Sequence, residues 1–170
     1  IPCKYYKTPI GKARIIKKGS SVTLAAFSYM VIESLRAAEA LKNEGIEVEV
    51  IDMRTLRPLD ITTVVKSVSK TNALVVADTG WKSCGMAGEI IARISDCCFE
   101  KLKKAPARIT LPEAAVPTSH FVSKDYYPGA ITITRSICKM LNKYTSRRDK
   151  RIVKQLQRTS MHDQPYKGYT

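Results

Sequence analysis

The sequence predicts an α/β domain of three layers, with a mostly parallel sheet, one antiparallel strand and helices on both faces. Three observations predict it. Extended runs at 22–27, 46–53, 73–77 and 107–111 alternate with helical repeats of 10–17 residues, which is the pattern of βα units. Ala73 to Ala77 is continuously apolar, as a strand buried on both faces requires. Crossovers in such sheets are right-handed, so helices should cover both sides.

Each element has its own signal. Residues 13–17 and 22–27 flank Lys18-Gly19-Ser20-Ser21, which reads as a hairpin or tight strand connection. The first of these strands is the best candidate for an antiparallel edge. Ser28 is a plausible N-cap for a helix from Tyr29 to Glu44, with Val31, Leu35, Ala38 and Leu41 or Lys42 at helical spacing and Gly45 where a C-cap belongs. Ile46 to Met53 sets Ile46, Val48 and Val50 against Glu47 and Glu49, the period of a strand. After the turn Arg54 to Pro58, Asp60 can cap a helix reaching about Lys70. Asp78 to Gly85 reads as a loop, followed by a stripe at Ile90, Ile91, Ile94, Cys98 and Leu102. A short strand, Ala107 to Leu111, ends at Pro112, and a Pro-containing loop leads to Pro128-Gly129. Ile131, Ile133, Ile137, Met140 and Leu141 mark a last helix.

The 170 residues fit one domain with room for a core. No apolar run approaches the roughly 18 residues of a membrane span. The start, Ile1-Pro2-Cys3-Lys4-Tyr5-Tyr6, lacks the layout of a signal peptide and reads as a cut inside a longer polypeptide. The five cysteines include no CxxC pair, so mostly buried, reduced thiols in a cytosol-like compartment are expected. Of the net charge of +14, residues 142–170 carry eight Lys/Arg against two Asp/Glu. The expected organisation is a linker at 1–12, the domain at 13–142, and a basic extension at 143–170. The extension is expected to lie outside the core and to be mobile unless a partner holds it, although Ile152, Val153 and Leu156 can share one side of a short helix.

Candidate chemistry is sparse. The loop holding Gly80, Trp81 and Gly85 joins a strand to a helix, where backbone N–H groups can cradle an anion. It has no GxGxxG, and Gly85 is followed by Met86-Ala87 and not by the Lys-Ser/Thr of a P-loop, so the expectation is a turn shaped by glycines with Trp81 packed. His120 can act as a base near neutral pH but has no evident nucleophile partner, and a loop or interface position is expected. Arg54, Arg57 and Asp60 sit at a strand end, where open α/β sheets form ligand crevices. The arginines can grip a carboxylate or phosphate, pair with Asp52 or Asp60, or face a neighbouring subunit; a structural or interface role is favoured over ligand binding. The basic extension can meet nucleic acid or an acidic partner, but no recognition motif accompanies it, and nucleic acid and membrane are not expected partners.

The order of these motifs resembles one family. Thr8-Pro9-Ile10-Gly11-Lys12-Ala13, Ile51-Asp52-Met53-Arg54-Thr55-Leu56-Arg57-Pro58-Leu59-Asp60, and Gly80-Trp81-Lys82-Ser83-Cys84-Gly85 with Gly88-Glu89-Ile90 are similar to the C-terminal domain of the E1 β subunits of 2-oxoacid dehydrogenases. Pro117-Thr118-Ser119 and Tyr126-Tyr127-Pro128 match more loosely. The resemblance covers about residues 8–141. It implies a transketolase-C-terminal-type fold and an α2β2 enzyme that decarboxylates a 2-oxoacid on thiamine diphosphate and Mg2+ and passes the acyl group to lipoamide, with pyruvate, branched-chain oxoacids and acetoin-type substrates left open. This domain would then support assembly with an E1 α subunit and a second β subunit, and dock the acyltransferase core (E2). It implies a cytoplasmic setting, or the mitochondrial matrix in a eukaryote. It places no catalytic, cofactor-binding or metal-binding residue in this chain, so the chain alone is expected to be inactive. Such β subunits end near the position of Leu141, so the basic extension would block, replace or extend the docking surface. The alternatives are the equivalent domain of a transketolase or deoxyxylulose-phosphate synthase, and a free-standing binding module that uses the extension.

Overall fold

The computed structural model describes residues 7–119, 123 and 126–158. One sheet contains β1 (Arg14–Lys17), β2 (Val22–Ala26), β3 (Val48–Asp52), β4 (Leu74–Trp81) and β5 (Ala107–Leu111), in the spatial order β1-β3-β2-β4-β5. The helices are α1 (Tyr29–Lys42), α2 (Ile61–Thr71), α3 (Met86–Cys98), α4 (Ala130–Met140) and α5 (Ser146–Arg158). Strands β2 to β5 run parallel, and β1 pairs antiparallel with β3 at the edge. The expected α/β architecture and its antiparallel edge are present.

The expected β1–β2 hairpin is not, because β3 lies between the two strands. Their connection crosses the start of β3 instead of closing a ladder. The N–H groups of Ser20 and Ser21 donate to the Glu47 carbonyl at 3.1 and 2.8 Å, and the Glu47 N–H donates to Ser21 Oγ at 3.0 Å. A Cβ on Gly19 would lie 2.3 Å from the Val48 carbonyl carbon, so this crossing requires glycine.

Strand alternation divides the core into two. Val22, Leu24 and Ala26, with Val48, Val50, Val75 and Ala77, face α1, α4 and α5. Ala25, Ile51, Leu74 and Val76 face α2 and α3. Successive strand residues point to opposite faces, and both faces are covered, so Glu49 cannot reach solvent as the apolar–acidic alternation suggests. It is buried and paired with Lys70. Burial alone would raise its carboxyl pKa, but hydrogen bonds from Lys70, Ser67 and the Gly19 N–H hold it below the ordinary carboxylate value. On the same face Thr23 Oγ1 lies 2.7 Å from both Ser67 Oγ and Thr71 Oγ1.

Helix α1 also differs from expectation. Its buried stripe is Met30, Ser34, Ala37, Ala38 and Leu41, while Leu35 is largely exposed. The alanines let the helix approach the sheet, and Leu35 turns outward. Ser28 precedes α1 without a capping side-chain bond, and Asn43 is the C-cap; Gly45 takes the left-handed conformation beyond it. Asp60 does cap α2, which ends at Thr71. Among the described cysteines, Cys98 and Cys138 are buried, but Cys84 and Cys97 are exposed, against the expectation of mostly buried thiols. Cys3 lies outside the described residues.

The basic extension is not outside the core over 146–158. Ile152 and Leu156 of α5 are 2% and 3% exposed and join the cluster shared with α1 and α4. Ion pairs align them. Glu44 takes Arg148 at 2.9 Å and Arg151 at 2.6 Å, and Arg135 grips Asp149 through two bonds of 2.8 and 2.9 Å. Arg36 donates from Nη2 to the Leu156 carbonyl at 3.1 Å. Two buried side chains and a few ion pairs therefore dock a segment whose composition alone reads as solvated. Residues 159–170 lie outside the described region. No described helix is long and apolar enough to cross a membrane.

Two predictions concern this docking. Leu156→Ala should cost roughly 2–5 kcal/mol, the range for a buried leucine truncation, measured by urea unfolding. A loss below 0.5 kcal/mol would mean that α5 is not part of the cooperative core. The Glu44 carboxyl is held below its ordinary value chiefly by the hydrogen bond from Arg151, with Arg148 adding to it against burial. A depressed carboxyl stabilises fully above its unfolded pKa, about 4.3 for glutamate, and loses that contribution as pH falls through the folded value. The protection factors of the α5 amides, exchange rates corrected for the intrinsic pH dependence, should therefore fall as the pH is lowered below about 4.3, with a weaker pH response in Glu44→Gln. An identical response in the variant would remove Glu44 as the clamp.

Candidate functional site

The carboxyl ends of β2, β3 and β4 open onto one cleft of about 680 Å³, lined by Thr8, Phe27, Ser28, Asp52, Arg54, Leu56, Asp78 and Thr79. Parallel strands make such a crevice because their connections diverge there to opposite faces. Two residues at its wall, Ser28 (φ 48) and Arg54 (φ 59), hold positive φ without being glycine, at a backbone cost of order 1–3 kcal/mol each. The Arg54 N–H donates to Asp52 Oδ1 at 3.1 Å, and its Nε lies 3.7 Å from Asp52 Oδ2. Of the pairings open to Arg54, the one with Asp52 is therefore formed.

The turn after β3 is fixed by the segment that precedes β1. Gly11 has φ +72, and a Cβ there would meet Pro58 Cγ at 2.5 Å. The Ala13 N–H donates to Asp60 Oδ2 at 3.0 Å, while Asp60 also receives the Thr63 N–H at 3.2 Å and the Thr63 hydroxyl at 2.8 Å. Burial would raise the Asp60 carboxyl, but these bonds from Thr63 and Ala13 bring it below its ordinary value. Asp60 is thus a structural tie between two motifs far apart in sequence. Arg57 and Leu56, held on the outside of the same turn, are exposed.

The second candidate segment differs in outline from its expectation. Strand β4 runs through Gly80 to Trp81, so the loop shrinks to Lys82–Gly85. Trp81 is 58% exposed, not packed, because it sits at the sheet's rim opposite Leu111. Gly85 caps α3, and a Cβ on it would stand 2.2 Å from the Trp81 carbonyl oxygen. Arg108 Nη1 donates to the Lys82 carbonyl at 2.9 Å, and Ser83 hydrogen-bonds Glu113. The loop is tied down by these contacts.

Of the candidate residues, Arg54 lines the cleft, Gly80 adjoins it in sequence, Arg57 and Trp81 project from the surface, and Asp60 and Gly85 are structural. His120 lies outside the described residues. Sequence reasoning did not single out Phe27, Ser28 or Asp78 for this cleft. Their common signal is position: Phe27 and Ser28 follow the end of β2, and Asp78 comes just after Ala77, the last β4 residue paired with β2.

A family model for the transketolase C-terminal domain matches residues 11–133. The chain belongs to the transketolase C-terminal domain family. It is 41% identical over 140 residues to the mitochondrial pyruvate dehydrogenase E1 component subunit beta of Bos taurus, covering 82% of this chain and 39% of that protein. It is 36% identical over 141 residues to the beta subunit of acetoin:2,6-dichlorophenolindophenol oxidoreductase of Cupriavidus necator, covering 83% and 42%. A solved split-gene transketolase, an inactive beta4 tetramer, superposes with a TM-score of 0.69 at 25% identity, over 82% of this chain and 45% of that one. The chain therefore spans about two fifths of the length of the curated relatives it matches.

The cleft does not fit the diphosphate of the thiamine diphosphate that the resemblance implies for a complete enzyme. It presents the carboxylates of Asp52 and Asp78 to an anionic group, and its one arginine already pairs with Asp52. No cluster of three or more His, Cys, Asp or Glu able to hold a metal occurs among the described residues.

Asp60→Ala should destabilise by about 1–2 kcal/mol, the value of a lost N-cap, measured by urea unfolding. Arg57→Ala should stay within about 0.5 kcal/mol, as surface changes do. Equal losses would contradict this division between an internal tie and an outward-facing arginine.

Proposed function

We propose that this chain is the C-terminal assembly and docking domain of the β subunit of a thiamine-diphosphate-dependent 2-oxoacid dehydrogenase E1. The complete enzyme would oxidatively decarboxylate a pyruvate-type 2-oxoacid, or split the C–C bond of an acetoin-type substrate with release of an aldehyde, and transfer the acyl group to lipoamide. The observation that carries this reading is the close identity to E1 β and acetoin oxidoreductase β subunits over more than four fifths of the chain. The motifs that carry the likeness converge in space, which supports it. Gly11 and Ala13 lock onto Pro58 and Asp60, and that lock presents Leu56 and Arg57 outward.

In this proposal the domain supplies surface and not chemistry. Arg57, Leu56 and Trp81 face an E1 α subunit or a second β subunit, the residue types that interfaces favour including arginine and the aromatics. The cofactor and its metal are held elsewhere in the α2β2 enzyme, and the acyltransferase core docks on the β subunit. The setting is the cytoplasm, or the mitochondrial matrix in a eukaryote.

Calorimetry and reconstitution test the proposal together. Titrating thiamine diphosphate and Mg2+ into the chain should give no binding heat, whereas the full β subunit with its α subunit should decarboxylate a 2-oxoacid. Micromolar cofactor binding by the chain alone would overturn the assignment. In the assembled enzyme, Arg57→Ala should raise the dissociation constant of the α–β complex by about tenfold without lowering the melting temperature of the domain. An unchanged constant would remove Arg57 from the interface.

A further inference from the structure

We infer that the outer face of α5 is a docking surface for an acidic protein segment, a helix carrying Glu or Asp at three- to four-residue spacing. The inference is independent of the enzyme assignment above. It rests on how α5 distributes its charge. The helix uses Arg148, Asp149 and Arg151 toward the domain, on Glu44 and Arg135. Arg147, Lys150 and Lys154 are exposed and have no acidic partner among the described residues. Lys143, in the link before α5, is also exposed.

Positions 147, 150 and 154 are three and four apart, so they lie on one face of a helix, over about 10 Å of its length. Like charges at this spacing repel, and solvated helices normally interleave opposite signs there. Here the one acid of the described helix, Asp149, is taken inward by Arg135. The outward row is therefore wholly cationic. It is also held in place: Ile152 and Leu156 are buried, and Arg36 fixes the Leu156 carbonyl. A row of cations on a docked helix loses little backbone freedom on meeting its partner, which is the advantage of preorganisation.

The pitch of the row favours a second helix over nucleic acid. Carboxylates at i, i+3 and i+7 of a facing helix repeat at the same interval. Four cations offer fewer contacts than the roughly six to ten phosphates engaged by strongly salt-dependent duplex binders.

The test uses the full 170-residue chain and three probes: a labelled helical peptide of about 20 residues with glutamates along one face, a scrambled peptide of equal charge, and an RNA oligonucleotide of equal charge. Anisotropy should show the patterned peptide binding best, with affinity falling about tenfold on moving from low to physiological salt. The triple variant Arg147→Glu/Lys150→Glu/Lys154→Glu should lose at least tenfold in affinity and keep its circular dichroism and melting temperature. The charge-matched variant Lys66→Glu/Lys101→Glu/Lys103→Glu should retain binding. Equal loss in both variants would mean that net charge and not this row attracts the peptide, and would overturn the inference. Equal binding of the scrambled peptide, or tighter binding of the RNA, would overturn it too. If the α5 triple variant melts early, Lys150→Gln and Lys154→Gln singly replace it, and unchanged affinity in both would be decisive against the surface.

Discussion

The constraint on which everything else in this fold depends is that its parallel strands must be covered on both faces. Val75 and Ala77 face one helical layer while Leu74 and Val76 face the other, so neither side of β4 meets water over residues 74–77. Parallel sheets occur almost only under this condition. It fixes two helical layers, sends successive connections to opposite sides, and so opens the cleft at the strand ends. It also turns polar residues that would suit a half-exposed sheet into buried ones needing partners. Glu49 finds Lys70, and Thr23 finds Ser67 and Thr71, in keeping with the rule that buried polar groups are hydrogen-bonded.

The layer formed by α1 and α4 is completed by α5. Its apolar contribution is small, two buried side chains, yet they enter the same cluster as Leu24, Val50 and Ile137. Glu33 shows how closely this layer is tied. Its carboxylate accepts the Ala130 N–H at 2.8 Å at the start of α4 and Arg36 Nη1 at 2.7 Å, and Arg36 in turn reaches α5. One buried acid in α1 thus connects both neighbouring helices. The segment of highest charge density is held by the most conventional means, burial plus paired ions.

What the sequence made legible follows from how local each signal is. The Ala73 to Ala77 run, the Asp60 cap and the last helix are local, and the structure has them. The neighbour of β1 is not local: a Gly-Ser link of four residues suits a hairpin as well as a crossing over β3, and only the fit of Gly19 against Val48 decides it. Leu35 and Trp81 misled because large apolar residues suggest burial, whereas α1 approaches the sheet through alanines and β4 runs out to its rim. The docking of α5 depends on Glu44 and Arg135 in other helices, which no window along 146–158 contains. At the cleft, Arg54 was visible through its motif; Ser28 and Asp78 become candidates only once the strands are in order.

The proposed role of this domain is that of the assembly part of a larger β subunit. Native mass spectrometry of the polypeptide containing this chain, isolated with its α subunit, tests it most directly. The expected result is a complex of two α and two β subunits, with each β about twice the length of this chain, as the coverage of its relatives implies. A native polypeptide of this chain's own mass, free of any α subunit, would contradict it.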